Sequence, residues 1–283
     1  MPLNLVARQE LVEGLPPLRD ALQAADLWAR KSLGQHFLLD LNLTRRIVRE
    51  AGLSRGCHVV EIGPGPGGLT RAVVEADVAS VTAIERDARF AALNQQLADA
   101  SDGFFRVIEG DALAVDPIAQ APAPRAIVAN LPYNVGTPLL IGWLKNARAY
   151  ESLTLMFQRE VADRIVAVPG TKAYGRLSVL AQLCCDVRLV MTIPARAFTP
   201  PPKIDSAVIR LVPLGDTIAG ALFDAVERVT AAAFGQRRKM LRASLKSISD
   251  DPITLLESLD IAPTKRADAL APRDYRRLAE TLV

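Results

Sequence analysis

The sequence predicts an α/β protein: a mostly parallel sheet with an antiparallel edge, followed by a small all-α domain. Three observations predict it. Short apolar runs alternate with helical patterns from Cys57 to about Val166, as in parallel βαβ units whose sheet is covered on both faces. A glycine-rich turn, Gly63-Pro64-Gly65-Pro66-Gly67-Gly68, joins the first run to its helix, a Rossmann-like arrangement. From about Asp216 the strand signals stop and only helical patterns remain.

Taken in order, residues 1–30 read as a peripheral arm, interrupted by Pro16-Pro17, with a short amphipathic helix over Leu18 to Trp28. A basic, polar loop, Lys31 to Leu38, leads to a helix over Leu41 to Ala51 with Asp40 as its N-cap. Strands are expected at Cys57–Ile62, Ser80–Glu85, Phe104–Glu109, Arg125–Ala129 and Ser152–Phe157, with helices between them. A helix over Leu177–Cys184 precedes two runs, Val187–Ile193 and Ser206–Val212, that suit an antiparallel edge. The segment between them, Phe198 to Lys203, is proline-rich and extended. Helices are then expected at Ile218–Phe234, Arg237–Ile248, Ile253–Leu259 and Arg273–Leu282. The domains are thus an arm over 1–30, a sheet domain over 31–214 and a helical domain over 215–283.

With 283 residues, half of them hydrophobic, the chain can bury a large core. A net charge of +3 is too small to argue a nucleic-acid partner, so the argument rests on where charge sits. Three cysteines and two histidines form no C-x-x-C pair or Cys/His cluster. No metal site or disulfide framework is expected, and the thiols suit a reducing cytoplasm. The N-terminus lacks an apolar signal region, and no uninterrupted apolar run is long enough for a membrane span.

Chemistry-bearing residues fall at the ends of the expected strands. Asn130-Leu131-Pro132-Tyr133 follows the apolar run Ala126–Ala129, at the carboxyl edge where open α/β sheets bind ligands. An Asn oxygen accepts from an amine, a proline stiffens the turn, and a Tyr face stacks a base taken out of its helix. The same letters also suit an ordinary turn. Gly63, Gly65 and Gly68 match G-x-G-x-x-G, which fits either a dinucleotide or S-adenosylmethionine (SAM). Glu85, about twenty residues on, can take ribose hydroxyls of either cofactor. Three features favour SAM. Glu61 precedes the first glycine and can anchor the loop or the cofactor ammonium through water. Pro64 and Pro66 remove N–H groups that a pyrophosphate needs. Asp111 can accept from an adenine amine, or else cap the helix after it.

At this point the chain resembles the SAM-dependent rRNA adenine N6-dimethyltransferases, and within them the bacterial small-subunit (16S) rRNA enzymes. The resemblance rests on Lys31–Leu38, Glu61–Gly67, Asn130–Asn134, Lys172–Ser178, Phe198–Val208 and Phe234–Lys239. It implies a SAM methyltransferase sheet acting on two adjacent adenines in a hairpin near the 3′ end of 16S rRNA, within the small ribosomal subunit. It implies that His36, Leu38, Gly63, Glu85, Asp111 and Asn130 bind SAM. The family often has Asn where this chain has His36. Asn130, Leu131, Pro132 and Tyr133 then form the catalytic stretch, with hydrogen bonds from the target N6–H favouring a tetrahedral nitrogen. Phe37 is placed against the sulfonium or in the core, and Phe198 on the flipped adenine or in packing. Lys172–Ser178 is expected to border the base pocket.

Between Arg228 and Ser249 lie Arg228, Arg237, Arg238, Lys239, Arg242 and Lys246 without one acid. Arg238, Arg242 and Lys246 are expected on one helical face, tracking phosphates. The chain is expected to act as a cytoplasmic monomer, free of metal and membrane. Competing readings are an Erm-type 23S rRNA methyltransferase, a ribosome-assembly factor that binds immature small subunits, and a nicotinamide-dependent dehydrogenase.

Overall fold

A computed structural model describes residues 3–28 and 35–283; Lys31 to Gly34 of the expected basic loop lie outside the described residues. The chain divides into two compact units. The first comprises Met1–Leu139, Ala149–Arg159 and Leu189–Arg210; the second comprises Leu140–Arg148, Glu160–Arg188 and Leu211–Val283. The helical unit is thus wider than the expected 215–283, taking in two earlier stretches of chain.

The N-terminal segment forms α1 (Leu5–Glu13), capped by the Asn4 side chain, and α2 (Leu18–Ala24). It is not peripheral, because Val12, Leu18 and Leu22 are buried in the first unit. β1 (Phe37–Leu38) leads to α3 (Leu41–Ala51), whose N-cap is Asp40, as expected, and which ends on left-handed Gly52. The alternation comes next: β2 (His58–Ile62), α4 (Gly68–Val74), β3 (Ser80–Glu85), α5 (Ala88–Ala100), β4 (Phe105–Glu109), α6 (Pro117–Gln120), β5 (Arg125–Asn130), α7 (Gly136–Leu144) and β6 (Ser152–Gln158). After it come α8 (Arg159–Ile165), α9 (Arg176–Cys184), β7 (Cys185–Ile193), β8 (Phe198–Thr199) and β9 (Ser206–Pro213).

Seven strands form one mixed sheet in the order β4-β3-β2-β5-β6-β9-β7. The four pairings β2–β3, β2–β5, β3–β4 and β5–β6 are parallel. Val59, Val60, Ile127 and Val128 are fully buried, as strands covered on both faces require. Strand order reverses between β2 and β5. A crevice therefore opens outside their carboxyl ends, where the connections leave toward opposite sides.

The remaining helices are α10 (Gly220–Gly235), α11 (Leu241–Ser244), α12 (Pro252–Ser258) and α13 (Pro272–Glu280). In the second unit Tyr174, Phe223 and Tyr275 are fully buried. The expected continuous helix over Arg237–Ile248 does not form. Met240 bridges Arg266 in antiparallel register, and Leu241 N–H donates to the Lys265 carbonyl at 2.8 Å. These bonds extend the backbone after α10, leaving only Leu241–Ser244 α-helical.

Gly68, the first residue of α4, makes the closest backbone approach in the first unit. A methyl group there would sit 2.2 Å from the Leu38 carbonyl oxygen. The obstacle is backbone, so Gly68→Ala must displace either β1 or α4. A loss of about 1–3 kcal/mol is expected, read as a lower denaturation midpoint at unchanged slope in urea.

Candidate functional site

The carboxyl ends of β2 to β5 open on a cavity of about 590 Å³. Its walls include His36, Phe37, Leu38, Gly63, Glu85 and Asp111, together with Asn130 through Tyr133. Parallel register brings these residues together. Ile62 lies opposite both Ile84 and Ala129, and Glu85 lies opposite Glu109. Gly63, Glu85, Gly110-Asp111 and Asn130 therefore fall within two residues of one row across the sheet.

Glu85 is 7% exposed and already tied on both oxygens. Its Oε2 accepts from Gly65 N–H at 3.0 Å and its Oε1 from Asp87 N–H at 2.8 Å. Each oxygen retains a second lone pair, so the carboxylate can clamp the glycine turn and still accept from hydroxyls. Burial pushes its pKa up, opposed by the backbone N–H groups of Asp87 and Gly65. Asp111 caps a turn, since no helix begins directly after it. Its Oδ1 accepts from Leu113 N–H at 2.9 Å, and its Oδ2 lies 3.6 Å from an Arg86 guanidinium nitrogen. Gly63 has φ +68, and a methyl group there would point toward Pro132 Cδ at 4.0 Å. The two turns thus approach each other across the switch point.

Glu61 behaves differently from the expectation that it anchors the loop. It is 1% exposed, and neither carboxylate oxygen has a hydrogen-bond partner among the described residues. The Thr70 hydroxyl nearby is likewise without one. Burial pushes the Glu61 carboxyl up to about 8, with Thr70 pulling the other way and Glu85 adding repulsion.

On the β5 side, Asn130 Nδ2 donates to the His36 carbonyl at 3.4 Å. A carbonyl only accepts, so this contact assigns the amide nitrogen and leaves Oδ1 as the group free to accept. The Tyr133 ring stacks on the His36 ring, with centroids 5.7 Å apart at 29°. The Tyr133 hydroxyl pairs with Ser206 Oγ at 2.9 Å, and His36 Nδ1 meets the Pro200 carbonyl at 2.8 Å. The His36 ring therefore carries its proton on Nδ1. Desolvation pushes the Tyr133 phenol up.

This constellation has close relatives. The family profile described as ribosomal RNA adenine dimethylase matches residues 27–283. A protein of Phenylobacterium zucineum named ribosomal RNA small subunit methyltransferase A is 54% identical over 270 residues, 95% of this chain and 93% of its own length. The crystal structure of a dimethyladenosine transferase from Plasmodium falciparum superposes with a TM-score of 0.74 at 26% identity, covering 86% of this chain and 96% of that one. The 23S rRNA methyltransferase ErmE superposes at 0.65 and 28% identity, covering 87% and 99%. The chain belongs to the ribosomal RNA adenine dimethylase family. It is thus an enzyme of the SAM-dependent methyltransferase kind.

The residues present fit the cofactor of a ribosomal RNA adenine dimethylase. A row of acceptors lines one cavity, the first glycine is left-handed, and the turn's prolines withhold N–H donors. Other expected residues lie elsewhere. Phe198 is 3% exposed, packed in the core that holds Leu38 and Val208, and is not part of the cavity wall. In this conformation it packs rather than stacks, because its strand pairs with β1. Phe37, placed against the sulfonium or in the core, packs edge-on against Phe90 with centroids 5.2 Å apart and also lines the cavity. Lys172–Ser178 does not border the cavity. It belongs to the second unit, where the Tyr174 hydroxyl donates to the Leu270 carbonyl at 2.9 Å and its ring packs against Phe234.

In that second unit Arg238, Lys239, Arg242 and Lys246 are exposed, with no ion pair among the described residues. They do not share a helix face, since the helix is broken there. Arg237 is occupied, donating to the Thr171 carbonyl at 3.0 Å and facing Asp268 at 3.5 Å. The Met240–Arg266 bridge adds Lys265 and Arg266, both exposed, to the basic surface. Their only sequence signal was a Lys-Arg pair between two helical patterns, too short to place. No group of three metal-ligating side chains occurs among the described residues, and no described helix is long and apolar enough to cross a membrane.

Glu61 makes stability depend on pH in a defined direction. Its folded pKa, about 8, exceeds the ordinary 4.5, so between these values the native state holds a proton that the unfolded chain has lost. Stability then falls as pH rises through that window and levels off above it. Glu61→Gln is expected to abolish this slope, gaining on the parent with rising pH by on the order of a few kcal/mol. Parallel stability profiles for the two proteins across pH 5–9 would remove Glu61 as the cause.

Proposed function

We propose that the chain transfers methyl groups from SAM to the N6 amines of two adjacent adenines in a hairpin near the 3′ end of 16S rRNA, giving dimethyladenosines during small-subunit biogenesis. The observation that carries the reading is the orientation of Asn130. Its amide nitrogen is held by the His36 carbonyl, and its oxygen is left to accept at the wall of the cavity that Gly63, Glu85 and Asp111 also line. The small-subunit assignment is supported by relatives 51–56% identical that carry the name small subunit methyltransferase A.

When bound, SAM supplies an electrophilic methyl on a sulfonium. Glu85 accepts from the ribose hydroxyls with the lone pairs not spent on Gly65 and Asp87, and Asp111 accepts from the cofactor's adenine amine. Gly63 lets the backbone come close, and His36 and Leu38 close the cavity from the β1 side. The target amine is a poor nucleophile because its lone pair is conjugated with the ring. Asn130 Oδ1 and a carbonyl of Leu131 or Pro132 accept from its two N–H groups as the nitrogen becomes tetrahedral, which favours the transition state over the ground state. Attack forms the C–N bond as the C–S bond breaks, and the methylated nitrogen loses its proton to water. Tyr133, pinned by Ser206, offers a ring of fixed orientation to the base. Pro132 and Leu131 keep the turn stiff and dry.

The rRNA is held by the basic surface of the second unit, through Arg238, Lys239, Arg242 and Lys246, with Arg237 fixing the local backbone. Lys265 and Arg266 extend the same surface. Counterion release makes such binding salt-dependent.

Two measurements test the proposal. Asn130→Ala is expected to lower methyl transfer from labelled SAM to immature small subunits about 100-fold or more, while SAM affinity falls far less. Near-parental turnover would take Asn130 out of the mechanism. Label appearing in 23S rather than 16S rRNA would favour the chemistry of ErmE. Replacing Arg238 and Arg242 together by Ala is expected to flatten the dependence of log affinity on log salt by roughly one to two; an unchanged slope would move the rRNA surface elsewhere.

A further inference from the structure

We infer that the N-terminal segment, through α2, is a positioning element for the SAM site: Leu22 and Leu27 hold the Phe37 ring against the glycine turn. The inference rests on the cavity being the SAM site. Leu22 and Leu27, 3% and 8% exposed, form a small apolar cluster with Phe37 and Phe90, separate from the main core. Phe37 is the member of that cluster that reaches the cavity wall. A methyl group at Gly65 would lie 3.4 Å from Phe37 Cε1, so the ring sits directly against the turn. The turn is held from its other side by the Glu85 carboxylate on Gly65 N–H. Gly65 is thus pressed between an aromatic ring backed by α2 and the acid that would take the ribose. Two further contacts fix the segment to the helix that the turn begins. Leu18 Cδ1 lies 3.3 Å from where a Gly68 methyl would be, and Arg71 of α4 donates to the Pro16 carbonyl at 2.7 Å.

The first helix of the segment serves a different end. Arg8 is 4% exposed, lies 3.8 Å above the Phe104 ring, and donates to the carbonyls of Val74 and Ala76 at 3.3 and 3.1 Å. It therefore satisfies the carboxyl end of α4, remote from the glycine turn. One segment thus grips both ends of α4, and only the α2 end touches the cavity wall. Apolar support of Phe37 needs bulk and no specific polar group, so a residue of similar volume serves as well.

The test compares SAM affinity, by titration calorimetry, with melting temperature in the full-length chain. Leu22→Ala is expected to weaken SAM binding about tenfold, with Leu22→Met restoring it. Arg8→Ala is expected to lower the melting temperature while leaving SAM affinity within about twofold. Leu27→Ala, at the edge of the same cluster, gives a folded variant if Leu22→Ala does not, and its SAM affinity must also fall. Equal SAM affinity in the parent and in the Leu22 and Leu27 variants would overturn the inference. So would SAM affinity that tracks melting temperature equally in Arg8→Ala and Leu22→Ala. A parent chain that binds no SAM would instead overturn the reading of the cavity itself.

Discussion

Parallel register is the constraint on which the rest of this structure depends. Four strands hydrogen-bonded in parallel must end on the same side of the sheet, and here Ile62, Ile84 and Ala129 fall level. The residues just beyond them are all delivered to one edge. They are a left-handed glycine, a buried glutamate, an aspartate after a glycine, and an asparagine. Neighbouring strands lie about 5 Å apart, so three polar side chains and a glycine span a space that suits a nucleoside. The reversal of strand order between β2 and β5 turns that row into a crevice by sending the turn after Gly63 and the turn after Asn130 to opposite faces.

Within the crevice most groups do two jobs. Glu85 clamps the glycine turn through Gly65 N–H, so the acid and the turn are positioned together. The His36 carbonyl fixes Asn130, while the His36 ring stacks on Tyr133 and is itself held by Pro200. The Asn130 amide is thus oriented by a residue ninety-four positions away in the chain. Acceptors fixed in this way need not reorient when a bound group changes geometry, which is the condition for electrostatic preorganisation. Glu61 stands apart, a buried carboxyl at the end of β2 with no hydrogen-bond partner among the described residues, and its burial couples its protonation to folding.

Where the sequence misled, long-range pairing overrode local pattern. Arg237 to Ile248 has helical spacing, yet backbone bonds from Met240 and Leu241 to Arg266 and Lys265 pull it out of a helix. Phe198 sits in a proline-rich, extended run that left stacking on a base and packing both open, and in the structure the run pairs with β1 and the ring is buried in the core. Tyr174 lies in a motif-like stretch that reads as part of the base pocket, yet its hydroxyl closes on Leu270 in the helical unit. The N-terminal segment, interrupted by Pro16-Pro17, reads as a peripheral arm, but Val12, Leu18 and Leu22 are all buried. In each case the deciding partner lies far along the chain, where periodicity carries no information.

The sequence by itself determined the alternation of strands and helices, and so the sheet with its polar groups gathered at one edge. Hydrophobic period and turn chemistry are local, and Gly63, Glu85, Asp111 and Asn130 each come directly after an apolar run or at its end. Only the tertiary structure decided which way the Asn130 amide faces, what covers Phe37, and which basic residues remain unpaired. Those properties depend on the atom that arrives from elsewhere, His36 O, Leu22 or Asp268, and a hydrogen bond or a packed ring exists only once both partners are in place.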